Sequence, residues 1–289
     1  MDDFLQSLAF RECTFALVDA TMVDLLPDTL TTEVLVPKRL TSSAHLMPKM
    51  IDLGRLSKGD MAALHACLGD ASAKSEHPPI ALFVTTKISA SEFARHWNAT
   101  QLARPRPDRK LWLRVHDPRV LHQLLRILNP LQRRRLFGKS DAFHYFISGK
   151  WITALREPDK ASGERTLSSE LAGWDWQRVE RLGIVNRALH NAGVEDALAL
   201  TSQGAVAEKL IERALERYDL TEQADLVEFT VRGLQCGPAF DEQPTVARAL
   251  CPPLDSDENT SLSDRFAVIE TLVWEALSTS ANSSMEHQT

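Results

Sequence analysis

The segment from Leu111 to Arg126 constrains the fold of this chain more than any other part of the sequence. An apolar run ends at Asp117-Pro118, and a helical pattern of leucines begins there. An aspartate accepts hydrogen bonds from the unpaired amides of a first helical turn, and proline suits the first helical position. The segment therefore predicts a strand over about residues 111–116 that leads into a capped helix from Pro118.

Strand and helix patterns alternate before residue 157. Strands are predicted at 14–18, about 50–53 and 80–86, and a hairpin is predicted from 143–147 and 151–154, joined by Ser148-Gly149. Helices are predicted at 58–68, from the capping residue Ser89, from Pro118 and at 131–137. Arg104–Lys110 is predicted to form a charged loop.

The pattern changes after a polar linker at 157–163, because apolar residues then recur at helical spacing. We therefore predict an α/β (α+β) N-terminal lobe, residues 1–156, with a mixed sheet and flanking helices. An all-α helical C-terminal lobe, residues 157–289, is predicted to follow it. A disordered polar tail is expected from about Ser278.

Charge is divided between the same two regions. Residues 1–156 hold 22 Lys and Arg against 15 Asp and Glu, a net charge of +7, whereas residues 157–289 hold 11 against 24, a net charge of -13. Such asymmetry indicates either two regions with different partners, or two lobes that attract each other. Solvated helix faces in the C-terminal half are the alternative explanation.

Composition predicts a cytoplasmic globular protein. No apolar run approaches the roughly 18 residues that a membrane-spanning helix needs, and the acidic start of the chain lacks the layout of a secretory signal. The four cysteines are dispersed, which favours free thiols over disulfides or zinc. We expect no metal, no cofactor and no membrane partner.

Motifs that carry chemistry are largely missing. There is no glycine-rich phosphate loop, nucleophile elbow or metalloprotease motif. Two alternatives stay open. One is an enzyme with a site near Asp19, His116, Asp117 and Arg119. The other is a nucleic-acid-binding regulator that uses the basic cluster between Arg104 and Lys139, although the acidic composition of the whole chain makes us expect no nucleic-acid partner.

The N-terminal lobe resembles the adaptor, or effector chaperone, proteins of the bacterial type VI secretion system. Its first strand, 15–20, is similar to their "YALLDGA" strand, with Ala20 in place of the glycine. Ser89, Phe93 and His96 correspond to an "S-x-x-x-L-x-x-H" helix. The run 113–121 is similar to "FRFYDPRVL", with valine and histidine in place of the aromatic pair. In the C-terminal lobe, 236–244 is close to a "G-x-x-FD-x-x-P" motif.

This resemblance implies a non-enzymatic protein that binds one cognate toxic effector in the cytoplasm. It implies loading of that effector onto the VgrG spike, often with a PAAR tip. The signature residues are Asp19, Arg114, Asp117, Pro118 and Arg119. Two roles are open for Asp117 and Arg119, which are a capped junction with a local ion pair or direct contact with a partner. Our candidates for contact with a partner are Arg133, Arg134, Arg135, Phe240 and Asp241.

Overall fold

The computed structural model describes residues 2–73, 78–106, 109–158, 175–251, 261–269 and 271–286. The chain divides into two compact units, Met1–Trp176 and Gln177–Thr289. The predicted boundary at residue 156 falls directly after the last strand of the first unit. Most of the predicted linker, from residue 159 on, lies outside the described residues.

A six-stranded sheet forms the centre of the N-terminal unit, with strand order β2-β3-β1-β4-β7-β8. Every pairing in the sheet is antiparallel. Its strands are β1 Phe15–Val18, β2 Glu33–Val34, β3 Lys49–Asp52, β4 Ile80–Thr86, β7 Ser140–Ile147 and β8 Lys150–Leu155. A separate hairpin consists of β5 Leu102–Arg106 and β6 Arg109–Trp112.

Helices cover both faces of this sheet, so its central strands are apolar at consecutive positions rather than at alternate ones. All four residues of β1 are buried for this reason. The helices of the unit are α1 Asp2–Gln6, α2 Leu8–Arg11, α3 Lys58–Ala73, α4 Ala90–Gln101, α5 Pro118–Ile127 and α6 Pro130–Phe137. Three 3-10 helices connect them, at Ala20–Leu25, Thr41–Leu46 and Leu53–Arg55.

Aromatic rings of the two helical layers pack against aromatic rings of the sheet. On one face, Phe15 of β1 stacks on Phe93 of α4 at 4.9 Å, and Phe143 of β7 stacks on Phe137 of α6 at 4.2 Å between ring centroids. On the other face, Phe10 of α2 meets Phe83 of β4 edge-on at 5.2 Å. Offset and edge-to-face pairs of this kind add to the stabilisation from buried area alone.

The regular elements described in the C-terminal unit are all helices. Its helices are α7 Trp176–Asn191, α8 Ala197–Tyr218, α9 Gln223–Cys236, α10 Pro244–Leu250, α11 Leu262–Ala267 and α12 Thr271–Glu286, with a 3-10 turn at Phe240–Glu242. Their apolar stripes meet in one core, which includes Leu210, Phe229 and Phe266. The predicted fold class, a sheet with flanking helices followed by a helical region, is confirmed.

Two local predictions need correction. The strand predicted over 111–116 ends at Trp112, because the Leu113 amide donates to the Gln101 carbonyl and residues 113–117 then form tight turns. Arg104–Lys110 is not a loop throughout, since it contributes to β5 and β6 on either side of residues 107–108, which lie outside the described residues. The turns bury Val115 completely, so an apolar run here reached the core without being a strand.

The polar tail predicted from Ser278 is also corrected, because α12 continues to Glu286. The hydroxyl of Ser278 donates to the Trp274 carbonyl at 3.0 Å, and that of Thr279 donates to the Glu275 carbonyl at 2.9 Å. Such bonds satisfy polar side chains inside a helix, which a count of polar residues does not reveal.

Gly138 lies in close contact with His96 of α4, and its substitution tests that contact. It follows α6 with φ 59°, and a Cβ atom there would lie 2.6 Å from His96 Nε2, which bonds to the Leu136 carbonyl at 3.0 Å. We expect Gly138→Ala to lower the free energy of unfolding by about 2–4 kcal/mol, from backbone strain and a steric clash together.

Gly149→Ala is the matched control. Gly149 also has positive φ, 74°, but a Cβ there meets no atom within 4 Å. Backbone strain alone costs about 1–2 kcal/mol. Urea unfolding of both variants measures the difference, and equal losses would contradict a specific role for the His96 contact.

Candidate functional site

Asp19 is the centre of a cluster of charged side chains at the end of β1. The strand stops at Val18, and Asp19 begins the 3-10 helix Ala20–Leu25 as its capping residue. Its Oδ1 atom accepts hydrogen bonds from the amide and the hydroxyl of Thr21, at 3.0 and 2.8 Å. This local bonding fixes the carboxylate, so its second oxygen is held in a defined place.

That second oxygen, Oδ2, accepts from two residues that lie almost a hundred positions along the chain. Arg114 Nη2 donates to it at 2.6 Å, and His116 Nε2 donates at 3.3 Å. The hydrogen bond from His116 is the main cause that holds the pKa of Asp19 well below its usual range. Burial opposes the shift, and the bonds from Thr21 and Arg114 add to it.

Asp117 and Arg119 form a second pair next to the first. Asp117 caps α5, and its Oδ1 atom accepts from the Arg119 amide at 3.0 Å. The Arg119 guanidinium also donates to both carboxylate oxygens, at 3.1 and 2.9 Å. Burial alone raises the pKa of Asp117, but the hydrogen bonds and the charge of Arg119 outweigh it, and the net shift is downward. Pro118 occupies the first turn of the helix.

The cluster is electrostatically balanced, with two carboxylates and two guanidinium groups. In each pair the carboxylate is less exposed than the guanidinium group, since the side chain of Asp117 is 9% exposed against 61% for Arg119, and that of Asp19 is 24% against 43% for Arg114. Arg114 lies 5.8 Å from the centre of the Trp112 ring, a cation–π contact. The sequence predicted that these signature residues matter, and the structure brings all five together. It gives His116 and Asp117 different partners, although they are adjacent.

The geometry of His116 bears on the enzymatic alternative. Its side chain is 2% exposed. An ionised carboxylate can only accept, so Nε2 carries the proton that is shared with Asp19. The other nitrogen, Nδ1, is buried and has no hydrogen-bond partner in the described parts of the chain. A serine or cysteine triad would need a nucleophile at that nitrogen. The arrangement can orient the turn before α5, and it exposes no imidazole for proton transfer to a substrate.

An open cavity of about 660 Å³ lies elsewhere in the N-terminal unit. It is lined by residues of α1, α2 and α3, among them Leu5, Phe10, Met61 and His65. None of the signature residues lines it. The described residues contain no group of three or more His, Cys, Asp or Glu side chains that could hold a metal ion. None of the described helices is both long enough and apolar enough to cross a bilayer.

The three consecutive arginines of α6 are half-buried rather than fully exposed. Arg133 donates from Nε to the Leu128 carbonyl at 3.0 Å and lies 3.5 Å from the Glu157 carboxylate. Arg134 donates to the Pro158 carbonyl at 3.4 Å. Arg135 completes the run on the same short helix. These contacts place the arginines beside the end of β8, and they give Arg133 a structural role that its sequence position did not indicate.

Phe240 and Asp241 are buried, which corrects our expectation that they contact a partner. Phe240 is 1% exposed and packs against Phe229 and Phe266. Asp241 is fully buried and accepts from Arg213 Nη1 and Tyr218 Oη, each at 2.8 Å. A conspicuous "FD" motif therefore marks the core of the helical unit.

Sequence reasoning missed the groups that hold Asp241. Arg213 and Tyr218 lie on α8, five residues apart, and Arg217 adds a longer contact at 3.5 Å. Burial and the neighbouring Asp241 carboxylate raise the pKa of Tyr218 to about 12. A basic residue in the last turns of a long helix is usually a solvated one. The sequence contained no signal that this helix end would face a buried carboxylate.

Comparison with known proteins finds one relationship. Residues 14–135 match the model of the family DUF4123, which is described as a domain of unknown function. The match starts just before β1, ends within α6, and includes the whole charged cluster. Neither a curated protein nor a solved structure matches the chain.

Asp19→Asn tests whether the cluster stabilises the fold. Asparagine keeps an acceptor for Thr21 but loses the charge that Arg114 and His116 share. We expect a loss of about 1–3 kcal/mol in the free energy of unfolding at pH 7. Because the pKa of Asp19 is lowered in the folded state, its contribution is present above the unfolded pKa, near 4, and is lost as the pH falls below it.

The measurement is chemical unfolding of both proteins from pH 7 to pH 3. The difference between wild type and variant should stay constant above about pH 5 and shrink below about pH 4. Asp28→Asn, at an exposed position in the same unit, should change little. A pH-independent difference would contradict a role for the charge.

Asp241→Asn tests the corresponding centre in the helical unit. We expect a loss of about 1–3 kcal/mol, because the buried side chain loses the charge that the one-third exposed Arg213 and Tyr218 bond to. The neighbouring exposed residue gives the control, Glu242→Gln, which should lose less than about 0.5 kcal/mol. Circular dichroism during thermal unfolding checks both, and equal melting temperatures would contradict the assignment.

Proposed function

We propose that this protein is a cytoplasmic adaptor of a type VI secretion system, which binds a cognate effector and promotes its loading onto the VgrG spike. The observation that carries the proposal is the family match over residues 14–135. The resemblance to the adaptors rests on the same segment, through the run that ends in Asp117-Pro118-Arg119. The proposal treats the protein as a binding protein rather than an enzyme.

The internal pairing of the signature residues supports this proposal. Asp19 pairs with Arg114 and Asp117 pairs with Arg119, and the His116 imidazole that bonds to Asp19 is buried. In this arrangement the motif stabilises the junction between β1 and α5. A partner would then be recognised by surfaces that the junction positions, and not by the motif itself.

The charge division is compatible with an acidic protein partner. The region up to residue 156 has a net charge of +7, but the chain as a whole has a net charge of -6. A basic region is also typical of a nucleic-acid-binding domain, which keeps the regulator as the second candidate. A basic surface on an acidic protein is suited to an acidic patch on another protein, where charge sets orientation and association rate.

Co-purification tests the proposal directly. We expect the tagged full-length chain to retain the effector encoded next to it, at micromolar concentrations, and to bring VgrG with it when the effector is present. Retention of neither protein would overturn the proposal. Retention of duplex or single-stranded nucleic acid, weakened steeply by added salt, would support the regulator instead.

Arg134 and Arg135 allow a sharper version of this test. We expect Arg134→Gln with Arg135→Gln to weaken effector binding by roughly tenfold and to lower stability by less than about 1 kcal/mol, since partly exposed charges contribute little to folding. Lys38→Gln with Arg39→Gln removes the same charge from exposed positions of the same unit and should leave binding unchanged. Binding and thermal unfolding are measured on the same preparations, and parallel losses in both would contradict a binding role.

A further inference from the structure

β8 is the last strand of the six-stranded sheet, and no described strand pairs with its outer side. Its inner side is fully paired with β7 in an uninterrupted register, from Ile147 opposite Lys150 to Ala142 opposite Leu155. The two-residue turn at Ser148-Gly149 makes Ile147 and Lys150 a hydrogen-bonded pair. The same pattern recurs at the other end, where the Arg156 amide donates to the Asp141 carbonyl at 2.9 Å.

Hydrogen-bonded and non-bonded pairs alternate along an antiparallel ladder. The amides and carbonyls of Trp151, Thr153 and Leu155 therefore point away from β7, toward the open side. Outside the sheet, none of these three amides donates a backbone hydrogen bond to another described residue. β8 thus offers six groups in a straight row, three donors and three acceptors.

Natural sheets usually protect such an edge by a proline, a bulge, charged residues such as lysine, a very short strand, or a covering helix or loop. The opposite edge follows this rule, since β2 comprises only Glu33–Val34. β8 has six residues, contains neither proline nor bulge, and carries Leu155 with 71% of its surface exposed. Lys150 is the charged residue of the strand, and an exposed edge of this length can accept a strand from a partner.

The charges at the ends of β8 argue against a second copy of this chain as that partner. A symmetric antiparallel pairing that uses all three outward residues puts Thr153 opposite Thr153. The same register places Lys150 opposite Arg156 of the other copy, at two positions. Like charges directly opposite each other in a ladder are destabilising. Arg156 is half-buried, and its Nε donates to the Gly138 carbonyl at 2.9 Å, so the exposed Lys150 is the more accessible of the two charges.

We infer that the outer edge of β8 binds an extended segment of a partner protein as a seventh strand, with acidic residues of that segment opposite Lys150 and Arg156 and an apolar residue beside Leu155. The backbone row supplies most of the attraction, and the charged ends set the register. That the partner is the effector rests on the proposed function. The mode of binding, strand addition to β8, does not depend on it.

The test uses the full-length protein and a blocked synthetic heptapeptide, Glu-Val-Thr-Val-Thr-Val-Glu. The matched peptide, Lys-Val-Thr-Val-Thr-Val-Lys, reverses the charge at both ends. We expect the acidic peptide to bind roughly fivefold to tenfold more tightly, because two opposite-charge pairs replace two like-charge pairs. It should slow hydrogen exchange at the amides of Trp151, Thr153 and Leu155. An acidic peptide with N-methyl groups on its pairing edge should not bind.

Leu155 gives the protein variants, because its side chain is exposed and its amide faces the open side. Leu155→Pro removes that donor and should abolish peptide binding, while Leu155→Ala keeps the donor and should weaken binding only a few-fold. Thr153 is left unchanged, since its hydroxyl bonds to His144 Nδ1 at 2.9 Å. If Leu155→Pro does not fold, the N-methylated peptide still decides the question.

Several results would overturn the inference. They are equal binding of the two charged peptides, binding of the N-methylated peptide, or no slowing of exchange at millimolar peptide. Protection of the three amides in the free protein, either in a monomer or in a concentration-dependent dimer, would show that another occupant covers the edge. Failure with the peptide together with successful effector capture would reject this binding mode alone and leave the proposed function standing.

Discussion

The N-terminal unit depends most on the hydrogen bonds that Asp19 accepts. They connect the end of the first central strand to a turn that lies 95 positions further along the chain. The turn leads directly into α5, whose leucines pack on the sheet, so the position of one helical layer depends on this carboxylate. Arg114, His116 and Thr21 satisfy both oxygens of this half-buried carboxylate.

Each unit contains a carboxylate that accepts hydrogen bonds from side chains in a distant part of the chain. In the helical unit, Asp241 is fully buried and is bonded by Arg213 and Tyr218 from α8. In each case an acidic residue follows the end of a regular element and fixes it to a distant one. Such contacts specify one arrangement of elements among several that hydrophobic packing alone would allow. The conspicuous acidic motifs of this chain therefore serve its architecture, and the surfaces that are left for recognition lie elsewhere.

The sequence predicted most of the elements because their local signals agree with the fold. Asp117-Pro118 and Asn129-Pro130 each begin a helix through a side-chain cap, and Ser148-Gly149 forms the turn of a hairpin. The strand prediction over 111–116 was wrong after Trp112, because Leu113 and Val115 are apolar through burial and not through strand pairing. The prediction that Phe240 and Asp241 contact a partner was wrong for a related reason. Both residues were assigned to the surface, and both lie in the core. The edge of β8 was not predictable either, because strand order depends on long-range pairing that no local pattern records.

The central claim is that the Asp19 cluster acts as a structural junction, and a double-mutant cycle between Asp19→Asn and Arg114→Gln tests it most directly. Urea unfolding of wild type, both single variants and the double variant gives the coupling free energy. The account predicts a favourable coupling of about 1 kcal/mol at pH 7, which disappears once Asp19 is protonated. Strictly additive effects at pH 7, together with loss of partner binding in folded single variants, would contradict it and make the cluster a recognition site.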